Sequence, residues 1–207
     1  VFLSATVLAF WSLAENRVRN WLLFIAGSLF YGSWSIPFLF LLYATIFVDY
    51  VVGLKLSDLN THRRKEPLLA SIVFNLGVLA IFKYADFAGE NPMGLLRQLG
   101  FSWKYESMNI ALPLGISFYT FMSLSYTIDV YRRVAPPERS LLNYGVFVTF
   151  FPHLISGPIL RAREFLPQLA LPQASNYLPY FGITRIVIGL LKKFVLAGCL
   201  ATFVDPV

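Results

Sequence analysis

Charge is scarce in this chain of 207 residues. Asp, Glu, Lys and Arg together make up 14%, against about a quarter in an ordinary soluble domain. Cysteine is scarcer still: Cys199 alone is present, which excludes an internal disulfide and a cysteine-built structural metal site and predicts a packing role in its apolar run. Histidine is limited to His62 and His153, far apart and without carboxylates at ligand spacing, so no metal site is expected. There is no Walker glycine loop, no C-x-x-C pair and no G-x-S-x-G nucleophile elbow. Val1 to Ala14 lacks the basic start and small-residue cleavage site of a signal peptide. The chain begins without Met inside an apolar run and ends just after another, so it is expected to be a fragment. No fixed-period repeat and no low-complexity tract is visible.

What fills the chain is apolar: 57% hydrophobic and 17% aromatic residues, with a mean hydropathy of +0.64. The net charge of +6 does not point to a nucleic-acid partner, because the basic residues fall between apolar runs instead of on one face. A membrane helix needs roughly 20 mostly apolar residues. Seven segments approach that pattern: Val1 to Ala14, Trp21 to Trp34, Ile36 to Leu56, Pro67 to Tyr84, Ile110 to Val130, Leu141 to Leu160 and Leu178 to Phe203. The expectation is an all-α, polytopic helix bundle forming one membrane-embedded domain over 1–207, some segments re-entrant. Residues 85–109 would be an extramembrane or interfacial connection, with a short interfacial helix at "MGLLRQLGF". If every segment spans, nine basic residues share one side (Arg17, Arg19, Lys55, Arg63, Arg64, Lys65, Arg132, Arg133, Arg139) and five the other (Lys83, Arg97, Lys104, Arg161, Arg163). The richer side is then cytoplasmic. A single re-entrant segment would invert everything after it.

Two stretches carry polar groups into this apolar background. "LPLGISFYTFMSLSYTIDVYRR", Leu112 to Arg133, brings eight hydroxyls into one span, and Tyr119, Ser123, Tyr126 and Asp129 fall on one helical face. Lipid cannot satisfy such a face, so it should look into protein or a wet cavity. It is either the wall of a substrate tunnel, with Asp129 pairing Arg132 or Arg133, or a seam of interhelical hydrogen bonds. In "FPHLISGPILRARE", Phe151 to Glu164, Pro152 and Pro158 predict a helix break. His153 there is a candidate acid or base, or a histidine serving the architecture. Arg161 and Arg163 are either anchors at the bilayer edge or anion contacts. Asp49, inside the third segment, is a functional candidate or the partner of a bundle-facing Arg or Tyr. Lys192 and Lys193 interrupt the last segment, either snorkelling to the interface or marking where it lies along it. His62, in a charged loop, is expected to be solvated.

These two stretches, together with "RNWLLFIAGSLFYGSW" and "IFKYADF", resemble the N-terminal half of the membrane-bound O-acyltransferase (MBOAT) family. The likeness is greatest to the subgroup of alginate O-acetylation membrane proteins and teichoic-acid D-alanyl transfer proteins. It implies a helix bundle around a tunnel, in the bacterial cytoplasmic (inner) membrane. An acyl group, acetyl above all, would pass from a cytosolic donor such as acetyl-CoA or an acyl carrier toward hydroxyls of a surface polysaccharide, by way of an extracytoplasmic acyltransferase partner. No bound cofactor is implied. The family's catalytic histidine is expected beyond Val207, so the fragment alone should be inactive. Pro113, Gly115, Ser117, Phe118, Tyr119, Tyr126, Asp129, Tyr131 and Arg132 match the first family motif. Pro152, His153, Gly157, Pro158 and Arg161 match the second, in which Gln can replace His. The tunnel or substrate-binding candidates are thus Ser117, Tyr119, Ser123, Tyr126, Asp129, Arg132, His153 and Arg161. Two rival classes are a transporter or flippase with a polar midplane site and a non-catalytic scaffold of the same fold; paired broken helices would favour the former.

Overall fold

The computed structural model describes residues 1–58, 63–98, 112–155, 157–170, 179–197 and 199, with the backbone alone at 58, 85–98, 170 and 179–181. Among these residues every element is helical. They fall into two compact units, Val1–Ala170 and Leu171–Val207.

The first unit opens with α1 (Phe2–Ser12), α2 (Asn16–Gly32) and α3 (Ile36–Asp58). Next comes α4 (Lys65–Gln98), whose 34 residues make it about 51 Å long at 1.5 Å per residue. It carries on through Tyr84, so the expected connection over 85–109 is helical as far as Gln98; residues 99–111 lie outside the described residues. Two stretches are long and apolar enough to cross a membrane, Ile36–Ser57 and Lys65–Tyr84. Among the described residues the other apolar segments form shorter helices, so two of the seven expected spans are found at full length. On α3 and α4, Phe40, Phe47, Leu69, Val73 and Ile81 point outward and are exposed. An apolar helix with apolar side chains on its outer face suits a lipid surround.

At the centre is α5 (Ile116–Tyr131), packed against both α3 and α4. Gly53 makes the close approach of α3 possible, because a Cβ there would overlap the ring and hydroxyl of Tyr126. Arg64, counted above among loop charges, is buried. Its guanidinium donates to the carbonyl of Leu56 at 2.8 Å and to that of Val130 at 2.9 Å, fastening the C-terminal turns of α3 and α5 where helix dipoles favour a cation.

The segment Leu141 to Leu160 does not form one helix. It is broken into α6 (Leu141–Thr149) and α7 (Phe151–Leu154), with Phe150 between them in an extended conformation. Pro152 accounts for the break. Inside a continuous helix its ring would strike the carbonyl four residues earlier, whereas in a first turn its missing N–H costs nothing. The chain then doubles back into α8 (Ala162–Ala170). Leu154, at the far end of α7, lies against Gly115 at the start of α5. Ala162 and Leu166 of α8, by contrast, lie beside Tyr126, near the other end of α5. The side chain of Asn20 likewise joins the side chain of Asn143 on α6 to the carbonyl of Leu169 on α8. Residues 141–170 therefore form a hairpin that goes in and comes back. Arg163, placed opposite Arg139 by the sequence count, lines the same cavity as Glu138, the residue before Arg139.

The second unit contains α9 (Pro179–Leu191), followed by a π-helical turn at Lys192–Leu196. Lys192 and Lys193 are exposed there. Cys199, expected to pack, is exposed as well.

Candidate functional site

Helix α5 organises the polar groups. Its N-terminal approach is the place where the two motifs of the sequence meet. Gly115 adopts a left-handed conformation, φ 71°, that a residue with a Cβ takes up only at a cost. A Cβ there would also run into the carbonyl of Leu154. Beside this contact, the hydroxyl of Tyr31 donates to the carbonyl of Leu114 at 2.9 Å. The hydroxyl of Tyr119 neighbours that of Tyr31 but is buried without a hydrogen bond of good geometry. His153 is 5% exposed, its ring lying 5.2 Å from that of Phe150 and 5.9 Å from that of Phe165. Neither ring nitrogen makes a hydrogen bond of good geometry, the main chain of Phe147 being its polar neighbour. Among the described residues no carboxylate or hydroxyl forms a catalytic pair with this imidazole.

One turn and more along α5, a second polar group is assembled around Asp49 of α3. The Ser71 hydroxyl donates to Asp49 Oδ1 at 2.6 Å. The Asn75 amide donates to Oδ1 and Oδ2 at 2.9 and 3.0 Å. Ser123 faces the same carboxylate and receives the Tyr144 hydroxyl at 3.4 Å. Thr127 Oγ1 lies 3.4 Å from the Ser71 hydroxyl. Asp49, Ser71, Asn75, Ser123 and Thr127 are each at most 1% exposed. Asp49 thus takes hydroxyl and amide partners, not the Arg or Tyr that the sequence suggested. Ser71 and Asn75 were missed. Their signal was a polar pair four residues apart inside an apolar segment, the spacing that puts two side chains on one face.

Near its C-terminal end, α5 borders a cavity of about 220 Å³ lined by Tyr126, Ala135, Pro136, Pro137, Glu138, Ala162, Arg163, Leu166 and Pro167. The Tyr126 hydroxyl accepts the N–H of Glu138 at 3.1 Å. Arg163 pairs with Glu164 at 3.7 Å.

The eight sequence candidates therefore separate. Tyr119, Ser123, Tyr126 and His153 are buried, Ser117 is half-buried, and Arg132 and Arg161 are exposed. Asp129 leaves the buried face and is half-buried, and its carbonyl closes the end of α5 by accepting the N–H groups of Val134 and Ala135. Tyr119, Ser123 and Tyr126 share the buried face of α5 but serve three different neighbourhoods. His62 lies outside the described residues.

Comparison with known proteins places this arrangement. The chain is 37% identical over 202 residues to the probable alginate O-acetylase AlgI of Pseudomonas syringae pv. tomato, covering 96% of this chain and 38% of that protein. It is 38% identical to the same-named protein of Azotobacter vinelandii, covering 96% of this chain and 40% of the relative. A peptidoglycan O-acetyltransferase of Helicobacter pylori is 32% identical over 218 residues, covering 90% and 40% respectively. The chain belongs to an MBOAT-like family. It spans about two fifths of the length of these relatives. No family model and no solved structure matches it. Within this family likeness, the Leu112–Arg133 and Phe151–Glu164 motifs are not independent markers, since Gly115 and Leu154 bring them into contact.

Proposed function

We propose that this chain is part of a multi-pass membrane O-acyltransferase of the bacterial cytoplasmic membrane. It moves an acyl group, acetyl foremost, from a cytosolic donor such as acetyl-CoA or an acyl carrier toward hydroxyls of a cell-surface polysaccharide, with an extracytoplasmic partner completing the transfer. The observation that carries this reading is the likeness to proteins named alginate O-acetylase along 96% of the chain. Acyl transfer to oxygen needs a base for the attacking hydroxyl and donors for the developing oxyanion. His153 is a poor base for this purpose: it is buried among Phe rings, and no hydroxyl or carboxylate among the described residues stands beside it to relay a proton. Its role, with Tyr119 and the Gly115–Leu154 contact, is to shape the wall beside the reaction path, and the base is supplied by another residue.

The test is complementation. A strain lacking the full-length protein, supplied with wild type, regains O-acetyl groups on its surface polysaccharide, measured by NMR of the purified polymer. Polymer exported in normal amount but unacetylated in the deletion strain supports acyl transfer. Loss of the polymer itself from the surface points to transport and defeats the proposal.

A further inference from the structure

The cavity at the C-terminal end of α5 has an arrangement of its own. Tyr126, Ala162 and Leu166 in its lining are buried, whereas Pro136, Arg163 and Pro167 are exposed. The first three are its floor and the others its rim, so it opens beside Arg163. Its volume of about 220 Å³ is below the roughly 300 Å³ at which pockets for drug-sized molecules begin. It therefore takes one end of a larger molecule, the rest of which lies outside. Pro136, Pro137 and Pro167, with their fixed φ, keep its walls in place.

The depth of the cavity follows from α3. The stretch of α3 that is long and apolar enough to cross a membrane ends at Ser57. Arg64 ties Leu56, one residue earlier, to Val130 on α5. Tyr126 lies against Gly53, four residues before that end and about 6 Å inward along the helix axis. The floor thus sits at the boundary between hydrocarbon and headgroups. Helix α8, which forms one wall, suits that level: Ala162 and Leu166 are buried while Arg163, Glu164 and Gln168 are exposed, the pattern of an interfacial amphipathic helix.

The polar groups of the lining are disposed toward an anionic ester. Arg163 meets Glu164 through Nε, at 3.7 Å and with both side chains exposed, a contact worth little. The rest of its guanidinium fork is left for an outside anion. Glu138, the acid of the lining, is turned to the start of α6, where Oε1 accepts the N–H of Ser140 at 2.9 Å and the helix dipole offsets its charge. The Tyr126 hydroxyl accepts the N–H of Glu138. Its own proton has no acceptor among the described residues, which leaves a donor on the floor.

We propose that this cavity binds one anionic glycerophospholipid of the adjoining leaflet, with the phosphate on Arg163, an ester carbonyl on the Tyr126 hydroxyl and the start of a chain against Ala162 and Leu166. Arg132, Arg133, Arg139 and Arg161 flank the lining in sequence, against Glu138 and Glu164, so the surround favours a negative headgroup over a zwitterionic one. This inference rests on the membrane part of the proposed function and not on acyl transfer.

The experiment uses the full-length protein in a neutral detergent and reads its melting temperature as phosphatidylglycerol, phosphatidylcholine with the same chains, glycerol 3-phosphate, inorganic phosphate or coenzyme A is added. Phosphatidylglycerol should raise the melting temperature saturably and by more than phosphatidylcholine. Arg163→Gln, at an exposed side chain, should weaken the apparent affinity for phosphatidylglycerol about fivefold, the scale of one basic residue at an anionic surface, and Arg163→Lys should restore most of it. Ala135→Leu, which puts a larger side chain into the cavity, should weaken it too. Equal responses to the two lipids, or no response to either, overturn the proposal. So does unchanged affinity in Arg163→Gln or Ala135→Leu, which places the lipid elsewhere on the surface. A response to coenzyme A, glycerol 3-phosphate or inorganic phosphate as large as that to phosphatidylglycerol assigns the cavity to a soluble phosphate ligand and overturns it as well. If Ala135→Leu does not fold, Arg163→Gln and the lipid series still decide. No acetyl transfer is measured, and a protein that stays soluble without detergent would fail the membrane reading before any lipid is added, so the two failures are distinguishable.

Discussion

At the scale of single residues, burial and partners separate side chains that the sequence made look alike. Asp49 and Asp129 are both carboxylates in apolar segments. The first is enclosed by donors, and the second ends a helix at the edge. Ser71→Ala removes the shortest hydrogen bond to Asp49 and should destabilise the folded protein by about 1–3 kcal/mol. Chemical unfolding in detergent checks this, and a change within error would mean that the hydroxyl is not engaged. His153→Gln makes the opposite kind of prediction. The imidazole contributes packing between Phe150 and Phe165, so the variant should insert and support polysaccharide acetylation within a few-fold of wild type. Abolished acetylation in a stably inserted His153→Gln protein would make the imidazole a participant in proton transfer. Sequence spacing had placed Tyr119, Ser123, Tyr126 and Asp129 on a common face; the first three are buried and Asp129 is half-buried. It did not reveal Ser71 or Asn75 as the partners of Asp49, because their i, i+4 spacing marks a polar face on α4 but not which helix that face meets.

At the scale of elements, proline chemistry made the break at Phe150 legible, and hydropathy made α3 and the first part of α4 legible. The destination of the chain after the break was not. Hydropathy measures how apolar a segment is, and a helix that enters and turns back is as apolar as one that crosses. Two junctions hold the result together, and each can be broken by one substitution. Gly115→Ala meets both a left-handed backbone and the Leu154 carbonyl, so a loss larger than the roughly 1 kcal/mol of an ordinary glycine replacement is expected. A melting temperature equal to wild type would show that α7 can move away. Arg64→Leu releases the ends of α3 and α5 and leaves two carbonyls without their donor. Fraying of these two ends, seen as faster amide exchange near Leu56 and Val130 than in wild type, is the expected result.

At the scale of the whole molecule, the hairpin over 141–170 alters the sidedness of the charges. Arg163 lines the same cavity as Glu138, so a recount by the positive-inside rule adds it to the side of Arg139 and predicts that side to be the cytoplasmic one. Cysteines introduced at Glu138 and Arg163, in a protein whose Cys199 is replaced by Ser, should react with a membrane-impermeant maleimide from the same side of the membrane. Labelling of the two from opposite sides would restore the crossing helix and remove the hairpin.

The contact between Gly115 and Leu154 also bears on how the protein is made. The insertion machinery meets segments one at a time, and a nine-residue α6 offers it far less than the roughly 20 apolar residues of a stable span. The later stretch is held in place by its packing against α2 and α5. The seat at Gly115 exists only once its helix has arrived. The histidine-bearing turn thus depends on other helices for its seat, and a protein in which Gly115 is replaced should offer that turn to an added protease sooner than wild type.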